Sequence, residues 1–226
     1  MSKHKKGIVI QCRDQSTRLP LKSVMKFYKD KSILEIIINK FKHLPYPIIV
    51  TTTPYSIQTI SQSQRAGVPV MVGGVGDILS RFCEVADKFD LDGVFRVCAD
   101  NPFIQLPLMF PVEAWSTNYD YVAFDHCMQR HEGFWLEYVK ADALYVANNR
   151  LVLDSKRREH VTSFIYGNPG MYNIKWLPIP PELNERQIHL TVDTKDDFEC
   201  AQAVYKDVGE KHWHYIIDYF YGVKHG

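Results

Sequence analysis

The sequence has 226 residues, 46% hydrophobic and 23% charged, with 27 Lys plus Arg against 26 Asp plus Glu. That is enough chain for one large α/β domain with a substantial core, and the near-neutral balance excludes a protein whose main work is coating nucleic acid. No apolar run approaches the ~20 residues of a membrane span, and the basic stretch Met1–Lys6 is followed by too short an apolar segment for a secretory signal, so a cytoplasmic protein is expected.

Gly7–Gln11 reads as a short buried strand. The loop Gln11–Lys22 follows, with three cations (Arg13, Arg18, Lys22) around the hydroxyls of Ser16 and Thr17. Fixed positive charge and short donors in one strand-to-helix loop suit a polyphosphate. Apolar residues at Ile33, Leu34, Ile37, Ile38 and Phe41 mark one helical face over Ile33–His43. Ile48–Thr52 is β-branched throughout, as a buried strand is. A segment from Pro54 to Ala66 closes at Gly67, a C-cap residue, and Val68–Val72 is the third strand.

Gly73-Gly74-Val75-Gly76-Asp77 lets backbone approach a ligand, and Asp77 is a suitable N-cap for a helix over Ile78–Phe89. Gly93–Val97 is the fourth strand. It runs into Cys98-Ala99-Asp100-Asn101-Pro102, where Pro102 delays any helix and leaves Asp100 at the strand's carboxyl end. Four strands alternating with helices predict right-handed crossovers and a mainly parallel sheet, with ligands bound beyond the strands' carboxyl ends. The pattern then changes. Tyr119–Phe124 and Phe134–Val139 read as strands with no helix between them, joined by a polar, hairpin-like arm over His126–Glu132. Asp142–Asn149 and Ser155–Tyr166 read as helices, Met171–Leu177 and His189–Val192 as strands, and Asp197–Val208 and Trp213–Tyr221 as closing helices. No linker divides the chain, so one domain over 1–226 is expected, with a nucleotide-binding half (1–115) and an acceptor-binding half (116–226).

Five cysteines (Cys12, Cys83, Cys98, Cys127, Cys200) are widely spaced and form no C-x-x-C pair, which indicates neither a zinc ribbon nor a disulfide framework. His126-Cys127 with His131, and His212 with His214, lack the partners of a closed zinc tetrahedron. Neither G-x-x-x-x-G-K-[ST] nor G-x-G-x-x-G follows the first strand, so side-chain cations would hold the phosphates. Asp100 and Asp193 each end a predicted strand, and two such carboxylates suit one Mg²⁺. A turn or cap role is the commoner fate of either alone.

These stretches together resemble the cytidylyltransferase group that includes the spore coat polysaccharide biosynthesis protein F type and the CMP-KDO (3-deoxy-manno-octulosonate) synthetases. The resemblance runs from Ile8 to about Tyr205. Arg13, Ser16, Thr17, Arg18, Leu19, Pro20 and Lys22 stand in the places of A-R-x-G-S-T-R-L-P-G-K. Gly67-Val68-Pro69-Val70 with Gly76–Phe82 is similar to G-V-P-V-x-x-G-x-x-x-D-V-L-x-R-F/Y, and Arg96–Pro102 to R-I-T-G-D-x-P. Gly133–Glu137 resembles G-L-D-V-E, Arg158–Thr162 matches R-E-H-V-T, and Leu190–Phe198 resembles L-T-V-D-T-x-x-D-F. The loop departs from the pattern at Asp14, at Gln15 and Leu21 in place of glycines, and the added anion weakens phosphate binding unless it pairs with Arg18 or faces solvent.

The resemblance implies a three-layer α/β fold of the nucleotide-diphospho-sugar transferase type, Rossmann-like and with a mostly parallel sheet. It adds a small mixed-strand region around Tyr121–Tyr138 through which a homodimer forms. It implies transfer of CMP from CTP to a sugar or sugar acid with loss of pyrophosphate, in polysaccharide or glycoconjugate biosynthesis. Arg13, Lys22, Asp100 and Asp193 would be catalytic, with Mg²⁺ on Asp100 and Asp193. Gln11, Arg13, Ser16, Arg18, Lys22, Asp77 and Arg81 would bind nucleotide, and Glu137, Arg158, Glu159 and His160 the acceptor, with His160 a candidate general base. No nucleic acid or membrane partner is expected. Two other readings stay open: a metal-dependent glycosyltransferase of similar fold, which would release a nucleoside diphosphate, and a non-catalytic nucleotide binder, which would release neither product.

Overall fold

A computed structural model describes residues 5–125, 131–151, 154–183, 188–209 and 211–222. The first apolar run forms β1 (Lys6–Gln11), buried from Gly7 to Ile10. In chain order there follow α1 (Ile33–Phe41), β2 (Ile48–Thr52), α2 (Ile57–Arg65), β3 (Val70–Val72), α3 (Ile78–Lys88) and β4 (Gly93–Cys98). The second part adds α4 (Met109–Trp115), β5 (Tyr121–Phe124), β6 (His131–Glu132), β7 (Glu137–Lys140), α5 (Ala141–Arg150), α6 (Ser155–Glu159) and α7 (Ser163–Tyr166). It closes with β8 (Ile174–Leu177), β9 (Ile188–His189), α8 (Lys195–Val208) and α9 (Trp213–Tyr221).

One seven-stranded sheet runs β3-β2-β1-β4-β7-β5-β8. All its pairings are parallel except those of β7, which lies antiparallel between β4 and β5. Alternation along each strand builds two apolar layers. Ile8, Ile10, Phe95 and Val97 face a core with α1, α4, α8 and α9, while Val9, Val94 and Val139 face one with α3, α5 and α7. Such alternation on a sheet covered on both faces is the expected outcome of right-handed crossovers. The three-layer, mostly parallel α/β architecture expected of the sequence is the observed one. β1 pairs with β2 on one side and β4 on the other, so the chain winds away in both directions from this pair. That switch point opens a crevice at the carboxyl ends of β1 and β4.

Local sequence explains the helix ends. Ser32 and Glu35 form a reciprocal capping box on α1. Gly67 follows α2 with φ +71, the left-handed conformation that suits a helix stop. α4 forms over Met109–Trp115, a stretch to which the sequence assigned no element, with Pro111 in its first turn, where a missing N–H costs nothing. Two expectations are corrected. The single helix expected over Ser155–Tyr166 is two, broken at the buried Val161, whose φ is +45. The strand expected over His189–Val192 covers only Ile188–His189 and pairs with β6 in a separate two-stranded sheet. Within the region Tyr121–Tyr138, β5 and the start of β7 lie inside the main sheet, with Tyr121, Val122, Phe124, Leu136 and Tyr138 buried. Residues 126–130 of the expected arm, including His126 and Cys127, lie outside the described residues. No described helix is long and apolar enough to cross a membrane.

Candidate active site

The crevice between β1 and β4 holds a cavity of about 340 Å³ walled by the first loop, the start of α3, the end of β4 and residues 159, 160 and 193. The loop is shaped from beneath. Asp14 turns away from the cavity into the start of α2, where its carboxylate accepts from Gln58 N at 2.8 Å, Thr59 N at 3.2 Å and Thr59 Oγ1 at 2.7 Å. It neither pairs with Arg18 nor faces solvent, being 6% exposed, so its charge is spent on the helix N-terminus. Gln15 donates to Tyr55 O and accepts from Thr53 Oγ1, and its backbone needs no positive φ. Leu21, by contrast, adopts φ +63, the left-handed conformation for which a glycine is the unstrained choice.

With the loop anchored this way, Arg13, Ser16, Thr17, Arg18 and Lys22 line the cavity. Lys22 Nζ donates to Asp193 Oδ1 at 2.8 Å, Asp100 Oδ2 at 3.2 Å and Val192 O at 2.6 Å. Arg18 reaches the same Asp193 oxygen at 2.9 Å. The two carboxylates thus meet, although Asp193 arrives on a loop rather than a strand, tied in by the bond from Val192 N to Asp100 O at 2.9 Å. Burial pushes the Asp193 carboxyl up, but the Lys22 hydrogen bond and charge and the Arg18 charge outweigh it and hold it below the usual carboxylate range. Asp197 behaves likewise: burial raises it, and hydrogen bonds from Thr194 and Asp193 at the start of α8 hold it lower. Among the described residues no cluster of three or more His, Cys, Asp or Glu has metal-ligand spacing. Two carboxylates gathered around one cation position fit Mg²⁺ all the same, since it takes one or two from the protein and fills its shell with water and phosphate oxygens.

Arg81 is the uncommon feature of this wall. It is 1% exposed, and its Nε and Nη1 have no hydrogen-bond partner among the described residues. Burial and the nearby Arg13 charge pull its guanidinium below its ordinary range. A Cβ on Gly73 would sit 2.6 Å from Arg81 Cγ, so glycine there is what lets the arginine stem pass beneath the loop. A buried cation with unfilled donors at a cavity wall is a fixed site for an anion.

A second cavity of about 400 Å³ adjoins the first and shares Arg96, Cys98 and His160 with it. Arg96 joins the two. Its Nε and Nη2 donate to Gln11 Oε1 at 3.3 and 3.2 Å, and its Nη1 to Glu137 Oε1 at 2.5 Å. Glu137 also accepts from Thr162 Oγ1 at 2.9 Å and from the Tyr121 hydroxyl. The left-handed Val161, closed by Thr162 N to His160 O at 2.5 Å, turns His160 toward both cavities and Thr162 toward Glu137. Strained β-branched backbone of this kind recurs at functional sites.

Of the residues singled out in the sequence, Gln11, Arg13, Ser16, Arg18, Lys22, Arg81, Asp100, Glu159, His160 and Asp193 line the first cavity and Glu137 the second. Glu159 pairs with Arg13 at 3.4 Å. Asp77 and Arg158 line neither. Asp77 caps α3 through Ser80 N, and Arg158 clamps that cap, with Nη2 2.6 Å from Asp77 Oδ2 and 2.7 Å from Asn148 Oδ1. Their link is a strut between α3, α5 and α6. Sequence reasoning missed Arg96, Tyr121 and Thr162 as site residues. The available signal was a charged residue inside the buried run of β4. Burial pushes the Cys12 thiol up to about 12 and the Cys98 thiol up to about 11, which leaves neither as a nucleophile. His212 and His214 stack at the start of α9 with Nδ1 atoms 2.7 Å apart.

Comparison with known proteins bears on this site. The family model described as Cytidylyltransferase matches residues 8–219. Spore coat polysaccharide biosynthesis protein SpsF of Bacillus subtilis (strain 168) is 26% identical over 215 residues, 90% of this chain and 87% of that protein. A solved cytidylyltransferase from Leptospira borgpetersenii serovar Hardjo-bovis (strain JB197) superposes with a TM-score of 0.86 at 22% identity, over 97% of this chain and 95% of its own. A CMP:2-keto-3-deoxy-manno-octonic acid synthetase complexed with CTP superposes with a TM-score of 0.64 at 15% identity, over 90% and 99%. At these identities the two structural likenesses are likenesses of fold.

Proposed function

The chain belongs to the cytidylyltransferase family and is a CTP-dependent nucleotidyltransferase, and on that premise we propose that it transfers CMP from CTP to a sugar or sugar-acid acceptor in the cytoplasm, for polysaccharide or glycoconjugate assembly. The observation that carries this reading is the pair of adjoining cavities, one ringed by Arg13, Arg18, Lys22 and Arg81, the other walled by aromatic and hydroxyl groups, with Arg96 and His160 common to both.

In this reading the acceptor oxygen attacks the α-phosphorus in line. The new O–P bond forms as the bond to the β-phosphate breaks, and pyrophosphate leaves. Arg13, Arg18 and Lys22 hold the leaving phosphates, and the unfilled donors of Arg81 take nucleotide oxygens. Such chemistry depends on alignment and charge neutralisation more than on covalent help. Asp100 and Asp193 would hold Mg²⁺, whose bound charge polarises the α-phosphate and templates the approach. His160, at the rim of both cavities, accepts the acceptor's proton. Residues 1–115 serve mainly the nucleotide and 116–226 the acceptor, within one domain. A homodimer is also expected, and a light-scattering mass measures it.

The test is pyrophosphate release from CTP with a panel of sugar acceptors, beside thermal shifts with each NTP and Mg²⁺. Saturating CTP at 100 times its Kd should add ~2.7 kcal/mol, a rise of roughly 2–4 °C per kcal/mol. Asp100→Asn should abolish metal-dependent turnover in a folded protein. Stabilisation by UDP-sugars and none by CTP, or release of a nucleoside diphosphate, would overturn the proposal.

A further inference from the structure

The ammonium of Lys22 fills the cation position between Asp100 and Asp193, and the bonds it makes there exhaust its donors. A lysine ammonium has three N–H groups and no more. Lys22 gives one to Asp193 Oδ1 at 2.8 Å, one to Asp100 Oδ2 at 3.2 Å and one to Val192 O at 2.6 Å. Its side chain is only 12% exposed. Arg18 brings a second cation to the same Asp193 oxygen at 2.9 Å. Two cations and two carboxylates thus form one neutral group. The third loop cation, Arg13, lies 3.4 Å from Glu159, so each cation of the loop already faces a carboxylate.

Two duties are expected of this group, and the observed arrangement cannot serve both at once. Lys22 has no donor for a phosphate oxygen while all three are spent. A divalent ion cannot bind both carboxylates while an ammonium sits between them at hydrogen-bond distance. Charge shows how the duties can be met in sequence. One divalent ion matches two carboxylates, so it can replace Lys22 and Arg18 together and release two monovalent cations. The Lys22 head rides on a flexible four-carbon stem and already borders the cavity into which it would turn. A polyphosphate that arrives without metal meets loop cations already compensated, whereas one that arrives with metal meets cations with donors to give. We propose that Lys22 is a built-in counter-ion of the carboxylate pair, displaced by the divalent cation, and that this exchange is what turns the loop toward phosphate. It rests on the reading of this cavity as the triphosphate site with Asp100 and Asp193 as the metal pair. By linkage, metal and polyphosphate then strengthen each other's binding.

Lysine acylation read by mass spectrometry on the full chain follows the exchange without turnover. With limiting acetic anhydride at constant pH, Lys22 of the metal-free protein should react slowly beside Lys195, whose side chain is 78% exposed. Saturating Mn²⁺ alone, its binding followed by electron paramagnetic resonance, should raise the Lys22 rate about fivefold or more as the freed fraction grows, with Lys195 unchanged. Pyrophosphate added to the Mn²⁺-loaded protein should slow Lys22 again. Asp193→Ala, its fold checked by circular dichroism, should raise the metal-free Lys22 rate, because an ion-pair partner is gone. A Lys22 that stays slow in wild-type protein, whether or not Mn²⁺ binds, overturns the proposal. So does an Asp193→Ala protein with the wild-type rate, since enclosure and not pairing would then hold the lysine. CMP transfer by a protein whose Lys22 stays slow would leave the cytidylyltransfer reading standing without the exchange, and a metal-released Lys22 in a protein that transfers no CMP would do the reverse.

Discussion

Replacing Asp14 by Ala should cost stability and leave the nucleotide site's charge intact. The formal N-cap of α2, Ser56, makes no side-chain capping bond. Asp14, from a loop 44 residues earlier in the chain but adjacent in the fold, supplies that bond instead through Gln58 N, Thr59 N and Thr59 Oγ1. Loss of an N-cap costs about 0.5–2 kcal/mol, and a buried donor left without its partner about 1–3 kcal/mol. These overlap, so about 2–4 kcal/mol is expected for Asp14→Ala, and about half that for Asp14→Asn, which keeps one acceptor oxygen. At roughly 2–4 °C per kcal/mol the alanine variant melts about 4–16 °C lower. Calorimetry with and without CTP and Mg²⁺ reads both quantities, and the CTP-induced rise should match that of wild type. A carboxylate facing the phosphates would behave in the opposite way. If Asp14→Asn tightens CTP tenfold with Tm unchanged, the capping account is wrong.

Arg81→Met removes two unpartnered buried nitrogens, so the nucleotide-free Tm should hold or rise while CTP affinity drops by more than about tenfold; a lower Tm with unchanged affinity would show a purely structural arginine. Lys22 occupies the bonding positions of Asp100 and Asp193, so Lys22→Met should bind Mn²⁺ alone more tightly than wild type in a calorimetric titration, and equal or weaker binding counts against those carboxylates as the metal pair. Leu21→Gly should stabilise by up to ~1 kcal/mol, the left-handed strain relieved less the entropy of glycine, and a fall in Tm would mean that the leucine side chain matters more than its backbone. Asp197 titrates below its usual range in the fold, so the stability it adds is complete above the unfolded-state value near ~3.9 and is lost as pH falls through the lowered folded value. Asp197→Asn should flatten the acid limb of a Tm-against-pH curve below about pH 4, and an unchanged limb would assign that loss to other carboxylates.

Most of the parallel half was legible in the chain itself. The β-branched run at Ile48–Thr52, the apolar strand Gly93–Val97 and the Asp77 cap are local signals, because propensity, periodicity and capping are decided by neighbours within a turn or a strand. The loop cations after β1 and Asp100 after β4 were legible for the same reason, since strand ends set where their loops emerge. The second half was read less well. α4 hid behind Pro111, whose tolerance depends on its place in the first turn, and the break at Val161 has no sequence marker, since a β-branched residue there is locally unfavourable and is held by its surroundings.

By itself, then, the sequence determined the layers, the alternation and the residues that could carry charge to the strand ends. Only the tertiary structure decided where that charge goes. It turned Asp14 onto a helix end, bound Asp77 and Arg158 to each other as a strut, and left Arg81 buried with donors to spare. It also joined Gln11, Arg96 and Glu137 into one wall between two cavities. Those outcomes rest on contacts between residues far apart in the chain, whose hydrogen bonds and burial come into being only when the sheet has brought the ends of β1, β4 and β7 together.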